Sequence, residues 1–199
     1  LSIRRQRQMC IRDRCNWETF RKQIPTGLNF SLSGIPYWNT DIGGFFNWPY
    51  HGGAENKAYH ELYTRWFQYG TFLPMQRSHG SGVKKEIYNL GKKGDWVYDS
   101  EEKYINLRYA LLPYLYSTGW QVTDNAGSFL RALFMDFNED KKVHTISNQY
   151  MFGKAFLVTP VTRNMYVFSD KEQWKDPYED FSKTGTQDVY LPKGTKWFD

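Results

Sequence analysis

The sequence predicts an α/β fold, and three observations carry that prediction. Helix-spaced apolar stripes alternate with short extended segments as far as about residue 127, two of those segments run into polar loops bearing Asp41 and His79, and short β-rich runs follow. The first extended segment leads into Gly34-Ile-Pro-Tyr-Trp-Asn-Thr-Asp-Ile-Gly-Gly-Phe-Phe46. Ser31 to Trp38 reads as extended chain, because Pro36 suits an edge or terminal strand position, while Gly43 and Gly44 supply the backbone freedom for a sharp turn. Asp41 then falls at the end of a strand, beside an aromatic wall. In a β/α barrel that is where chemistry is placed. The competing reading is a carboxylate that caps the next element.

Upstream of this strand, Trp17, Phe20, Arg21 and Ile24 have helical spacing that stops at Pro25, predicting a short helix that feeds a strand over Asn29 to Trp38. From Glu55 a longer helix places Tyr59, Leu62, Tyr63, Trp66 and Phe67 on one face, a stripe best explained as core packing. Gly70 closes it, Thr71 to Arg77 reads as the next strand, and Ser78 to Gly82 as its C-terminal loop. Gly80 to Lys103 is polar and punctuated by Gly82, Gly91 and Gly94, so a long surface loop is expected there. Asp99 and Glu102 are placed to cap a following helix that turns Tyr104, Leu107, Leu111 and Leu115 inward, with Pro113 kinking or dividing it. Beyond Gly127, strands are expected within Phe129 to Phe137, Ala155 to Val161, Tyr166 to Phe168 and Asp188 to Leu191. The polar stretch Arg163 to Gln187, with Pro177 and Gly185, reads as a loop between them.

Charge narrows the function classes. The formal net charge is +5, but residues 1–14 hold five arginines (Arg4, Arg5, Arg7, Arg12, Arg14) against Asp13, leaving 21 basic and 20 acidic residues for everything else. The globular part is electrically ordinary, so no nucleic-acid partner is expected. The segment 1–15 lacks apolar periodicity and is set aside as non-native sequence. Two cysteines, Cys10 and Cys15, make neither a disulfide framework nor a zinc site, and no apolar run is long enough to span a membrane. Aromatic residues make up 19% of the chain, which suits both a large core and a cleft that stacks on the C–H faces of sugar rings. His51, His60 and His144 sit in no recognisable constellation and read as surface or packing residues.

The Gly34 to Phe46 segment is followed by Arg65-Trp-Phe-Gln-Tyr-Gly-Thr-Phe-Leu-Pro-Met-Gln-Arg-Ser-His-Gly80 and Leu107-Arg-Tyr-Ala-Leu-Leu-Pro-Tyr-Leu-Tyr116. Further on come Arg131-Ala-Leu-Phe-Met-Asp-Phe137, Gln149-Tyr-Met-Phe-Gly-Lys-Ala-Phe-Leu-Val-Thr-Pro-Val161 and Leu191-Pro-Lys-Gly-Thr-Lys-Trp-Phe198. In this order and at this spacing the segments resemble glycoside hydrolase family 31, over roughly Asn16 to Asp199. The resemblance implies the C-terminal part of a (β/α)8 TIM barrel over 16–127 and the start of a β-sandwich domain over 128–199. At 199 residues the chain is shorter than a complete barrel of about 250, so it is expected to be a piece of a longer enzyme.

What the resemblance implies for chemistry is a retaining α-glycosidase, most like α-xylosidases and next like α-glucosidases, needing no cofactor. It implies an oligosaccharide or glycoside substrate as the partner. Retaining hydrolysis uses two carboxylates about 5–5.5 Å apart. The family's nucleophile lies on an earlier strand with no counterpart here, and its acid/base would fall five residues before Trp17, at Arg12, with Asp13 one place out of register. No catalytic carboxylate is therefore assigned, and the chain alone is expected to be inactive. Asp41 and His79 match substrate-binding positions of the family. Arg77 is expected to pair with an acid in the same cleft, and Trp38 and Phe45 to wall the sugar pocket, with core packing the equal alternative. A binding protein that kept the cleft and lost its carboxylates is the alternative function.

Overall fold

The computed structural model describes residues 15–47, 49–183 and 185–198. Asp13 and the arginine-rich start therefore lie outside the described residues. Helix α1 spans Trp17–Leu32, α2 Lys57–Thr71, α3 Ile87–Leu90, α4 Trp96–Ala110 and α5 Leu112–Asn125. The C-terminal part follows with β1 (Leu130–Ala132), α6 (Leu133–Asp136), β2 (Tyr150–Phe152), β3 (Phe156–Val158), β4 (Val167–Phe168) and β5 (Tyr178–Glu179). Strands β1, β2 and β3 form an antiparallel sheet in that order, and β4 pairs with β5.

Helix α1 overrides its proline. Asn16 caps it by accepting the Thr19 amide at 2.8 Å, and the buried row Trp17, Phe20, Ile24 continues to Leu28 in the turn after Pro25. The Thr26 hydroxyl bonds the Lys22 carbonyl beside the missing donor. Burial of that continuing face outweighs the break, so the short helix and the strand expected from Asn29 to Trp38 are corrected to one long helix followed by extended chain from Ile35. Thr71 to Arg77, expected as a strand, is the last helical residue and an irregular run.

Helix α2 has its core stripe as the spacing predicts: Tyr59, Leu62, Tyr63, Trp66 and Phe67 are all buried. Phe20 stacks on Trp66, with ring centroids 4.9 Å apart, and joins α1 to α2 at the centre of the core. The long loop expected over Gly80 to Lys103 is interrupted by α3 and by α4, which starts at Trp96 behind Asp95 rather than at an Asp99 cap. Asp99 instead accepts the Gly94 amide. Pro113 stands at the start of α5, so the helix is divided where it was expected to be. Among the described residues, β4 falls within the strand expected over Tyr166 to Phe168, Asp188 to Leu191 forms no strand, and the polar stretch expected as loop holds the unexpected β5.

Candidate functional site

Two extended segments run side by side in the same direction and carry the candidate residues to one end. Their parallel bridge joins Phe46 to Ser81, with the Ser81 amide donating to the Phe45 carbonyl at 2.8 Å and the Ile42 amide to the Arg77 carbonyl at 3.4 Å. Parallel neighbours present matching ends, so the Asp41 turn and the Ser78 to Gly82 loop open on the same side.

The turn after Asp41 is closed by the Gly44 amide bonding back to the Asp41 carbonyl at 2.8 Å. Gly43 and Gly44 sit at φ +76° and +78°, where a side chain is strained. A Cβ on Gly43 would meet the Tyr63 ring at 2.4 Å, and one on Gly44 the Cys15 backbone at 2.7 Å. The Cys15 thiol donates to the Gly43 carbonyl at 2.6 Å. Burial pushes that thiol up, outweighing the lowering by Lys85, so it stays a protonated donor.

The Arg77 guanidinium donates to Asp41 Oδ1 at 2.7 Å, from an arginine about half exposed to a carboxylate that is buried. The acid that Arg77 pairs with is therefore Asp41 itself. The His79 ring lies against Phe45 with centroids 5.4 Å apart. Asp41, Arg77, His79 and Phe45 thus share one neighbourhood. Trp38 does not join them at a surface: it is 5% exposed, its ring 4.9 Å from Phe30, and it fills the space a Cβ on Gly27 would need. Of the two roles weighed for Trp38, packing is the one its position serves.

Lys85 also belongs to this neighbourhood, although its own sequence context marks it only as one of a run of surface charges. Its ammonium donates to the carbonyls of Ile42 (2.7 Å), Gly44 (2.6 Å) and His79 (2.7 Å). The Tyr63 hydroxyl contacts Ser78 Oγ at 2.6 Å and donates to the Lys85 carbonyl at 2.8 Å. One indirect signal was available in Gly80, whose missing Cβ leaves room for Lys85 Nζ at 2.7 Å. Elsewhere, the His60 ring bonds the Ala54 carbonyl and the His144 ring that of Asn138, both local contacts. Among the described residues no group of three or more His, Cys, Asp or Glu could hold a metal, and no helix is long and apolar enough to cross a membrane.

Comparison with known proteins gives this arrangement a family. Residues 9–118 match the glycosyl hydrolases family 31 TIM-barrel domain, and residues 126–199 the glycosyl hydrolase family 31 C-terminal domain. The chain belongs to glycosyl hydrolase family 31. Its relatives include an α-xylosidase of Saccharolobus solfataricus, 43% identical over 92% of this chain and 22% of the relative, and human intestinal sucrase-isomaltase, 32% identical over 92% of this chain and 8% of that protein. Among solved structures, the α-xylosidase of Xanthomonas citri matches with a TM-score of 0.71 at 44% identity, covering 75% of this chain and 17% of its own. A soil-metagenome α-xylosidase complexed with xylose matches with a TM-score of 0.69 at 32% identity, over 75% and 24%. The chain spans about a fifth of the length of the α-xylosidase relative.

Proposed function

We propose that this chain forms the substrate-binding side of the active site of a retaining α-glycosidase that removes terminal α-linked xylose or glucose from oligosaccharides. The observation that carries the reading is the Asp41–Arg77 pair beside His79, held at one end of two parallel segments. A buried carboxylate with one oxygen engaged by a guanidinium stays an acceptor for sugar hydroxyls, and the imidazole offers a donor next to an aromatic face. Xylose is favoured as the sugar by the α-xylosidases among the more similar relatives.

In this reading the two carboxylates of double displacement come from residues outside the chain, and the barrel portion gives way to the C-terminal domain near residue 127. Asp41, Arg77, His79 and Phe45 bind and orient the sugar as it flattens toward its oxocarbenium-like transition state. The chain alone then has no glycosidase activity. The test is His79→Ala in the protein at its full encoded length, assayed on aryl α-xylosides and α-glucosides. Loss of a donor that strengthens in the transition state is expected to cost roughly 2–4 kcal/mol in kcat/KM. An unchanged kcat/KM removes His79 from the site, and sugar binding without turnover in the wild type identifies a binding protein instead.

A further inference from the structure

We propose that Lys85 is a positioning residue of this site, its ammonium clamping the Asp41 turn to the His79 loop so that both meet the sugar in one fixed geometry. The proposal rests on the glycosidase reading above. Three features of the structure carry it.

The first is where the charge goes. Lys84, Lys85 and Glu86 are consecutive polar residues in a surface stretch, yet Lys84 and Glu86 are exposed and Lys85 is buried. A buried lysine must offset the loss of its hydration, and this one does so on backbone carbonyls drawn from both loops. Charge-assisted bonds of this kind are stronger than neutral ones.

The second is what the clamp spans. Ile42 and Gly44 lie within the turn that follows Asp41, and the third carbonyl is that of His79 itself. Between the same two segments the backbone contributes a bond at 2.8 Å and a looser one at 3.4 Å. Lys85 adds bonds where the backbone ladder is weak. Gly80 completes the fit, since a Cβ there would lie 2.7 Å from Nζ and 2.9 Å from the Phe45 carbonyl.

The third is the anchor. Tyr63, on the buried face of α2, donates its hydroxyl to the Lys85 carbonyl. A rigid helix therefore holds the lysine backbone while its side chain holds the loops. Lys85 acts through Asp41 and His79 and needs no contact with substrate.

The experiment compares wild type, Lys85→Met and Lys85→Arg at full encoded length, by amide hydrogen exchange and by turnover. In Lys85→Met, the amides of Gly44 and Ser81 are expected to exchange at least about tenfold faster while those of α2 are unchanged. With the binding groups displaced by even 1 Å, kcat/KM is expected to fall about 100-fold. Lys85→Arg restores part of both. Adding His79→Ala to Lys85→Met costs less than it does in wild type, because the two act through one loop. Wild-type exchange at Gly44 and Ser81, or strictly additive losses in the double variant, overturns the proposal. If the methionine variant does not fold, the same readouts on Lys85→Arg and Lys85→Gln decide: graded loosening supports the clamp, and wild-type behaviour in both overturns it. A wild type that hydrolyses no glycoside sinks the glycosidase reading, and the exchange comparison still decides the clamp.

Discussion

Glu101, on α4, has no accessible surface, and among the described contacts its Oε1 accepts the Thr64 hydroxyl at 3.3 Å while Oε2 meets no donor. Burial pushes this carboxyl up to about 8 from an ordinary 4.5, against a smaller lowering by the Thr64 bond. The sign follows from proton counting. Between about pH 4.5 and 8 the unfolded chain has released a proton that the folded chain keeps, so stability is full below the unfolded value and falls as pH rises through the folded one. At about 1.4 kcal/mol per pKa unit, the loss on reaching pH 9 is roughly 5 kcal/mol. Glu101→Gln keeps the shape and removes this titration, so the urea midpoint of the variant is expected to fall less between pH 5 and 9 than that of the wild type. Parallel curves would show that Glu101 is not the responsible group. The sequence offers no hint of this residue, because a Glu in a charged helix reads as solvated until the facing helix is known.

At the scale of elements, Glu61 does for the C-terminal part what Lys85 does for the loops. It lies on the buried side of α2 and its carboxylate accepts the amides of Met165, Tyr166 and Val167. That docks the β4–β5 pair onto the helix. Burial pushes the Glu61 carboxyl up, and the three amides oppose it. Glu61→Ala leaves buried amides without an acceptor and is expected to cost about 2–4 kcal/mol, with faster proteolytic cutting between residues 163 and 187. Wild-type stability and cutting rate would mean that the pair is held by its apolar contacts. What was legible here follows periodicity. The α2 stripe and the division at Pro113 were readable because each is a local pattern in one segment. The overrun of α1 was not, since Pro25 is a strong local stop and the Leu28 burial that overrides it is tertiary. Asp41, Arg77 and His79 are singled out through the family segments they sit in, whereas Lys85 lies in none of those segments: only the folded chain brings residue 85 against residues 42 and 44.

Across the whole molecule, α5 is apolar on two sides. Leu115, Thr118 and Val122 face the core, while Leu112, Tyr116 and Trp120 repeat every four residues on an adjoining face and stand exposed, Tyr116 at 85%. Together with Tyr37, Pro74 and Phe129 this outer face lines an open groove of about 680 Å³. A contiguous exposed apolar surface of this kind drives association when nothing covers it. The 199-residue chain expressed alone is therefore expected to self-associate in a concentration-dependent way, visible in sedimentation or light scattering. Replacing two of the exposed side chains, Tyr116→Lys with Trp120→Lys, introduces charge on the outer face without touching Leu115 or Val122. The pair is expected to raise the concentration at which association begins by roughly tenfold, equivalent to about 1.4 kcal/mol of lost contact. Melting temperature should stay within a few degrees, because neither side chain contributes to the core. Association unchanged by the double substitution would place the sticky surface elsewhere, at the exposed ends of the parallel segments beside Ile35 and Met75.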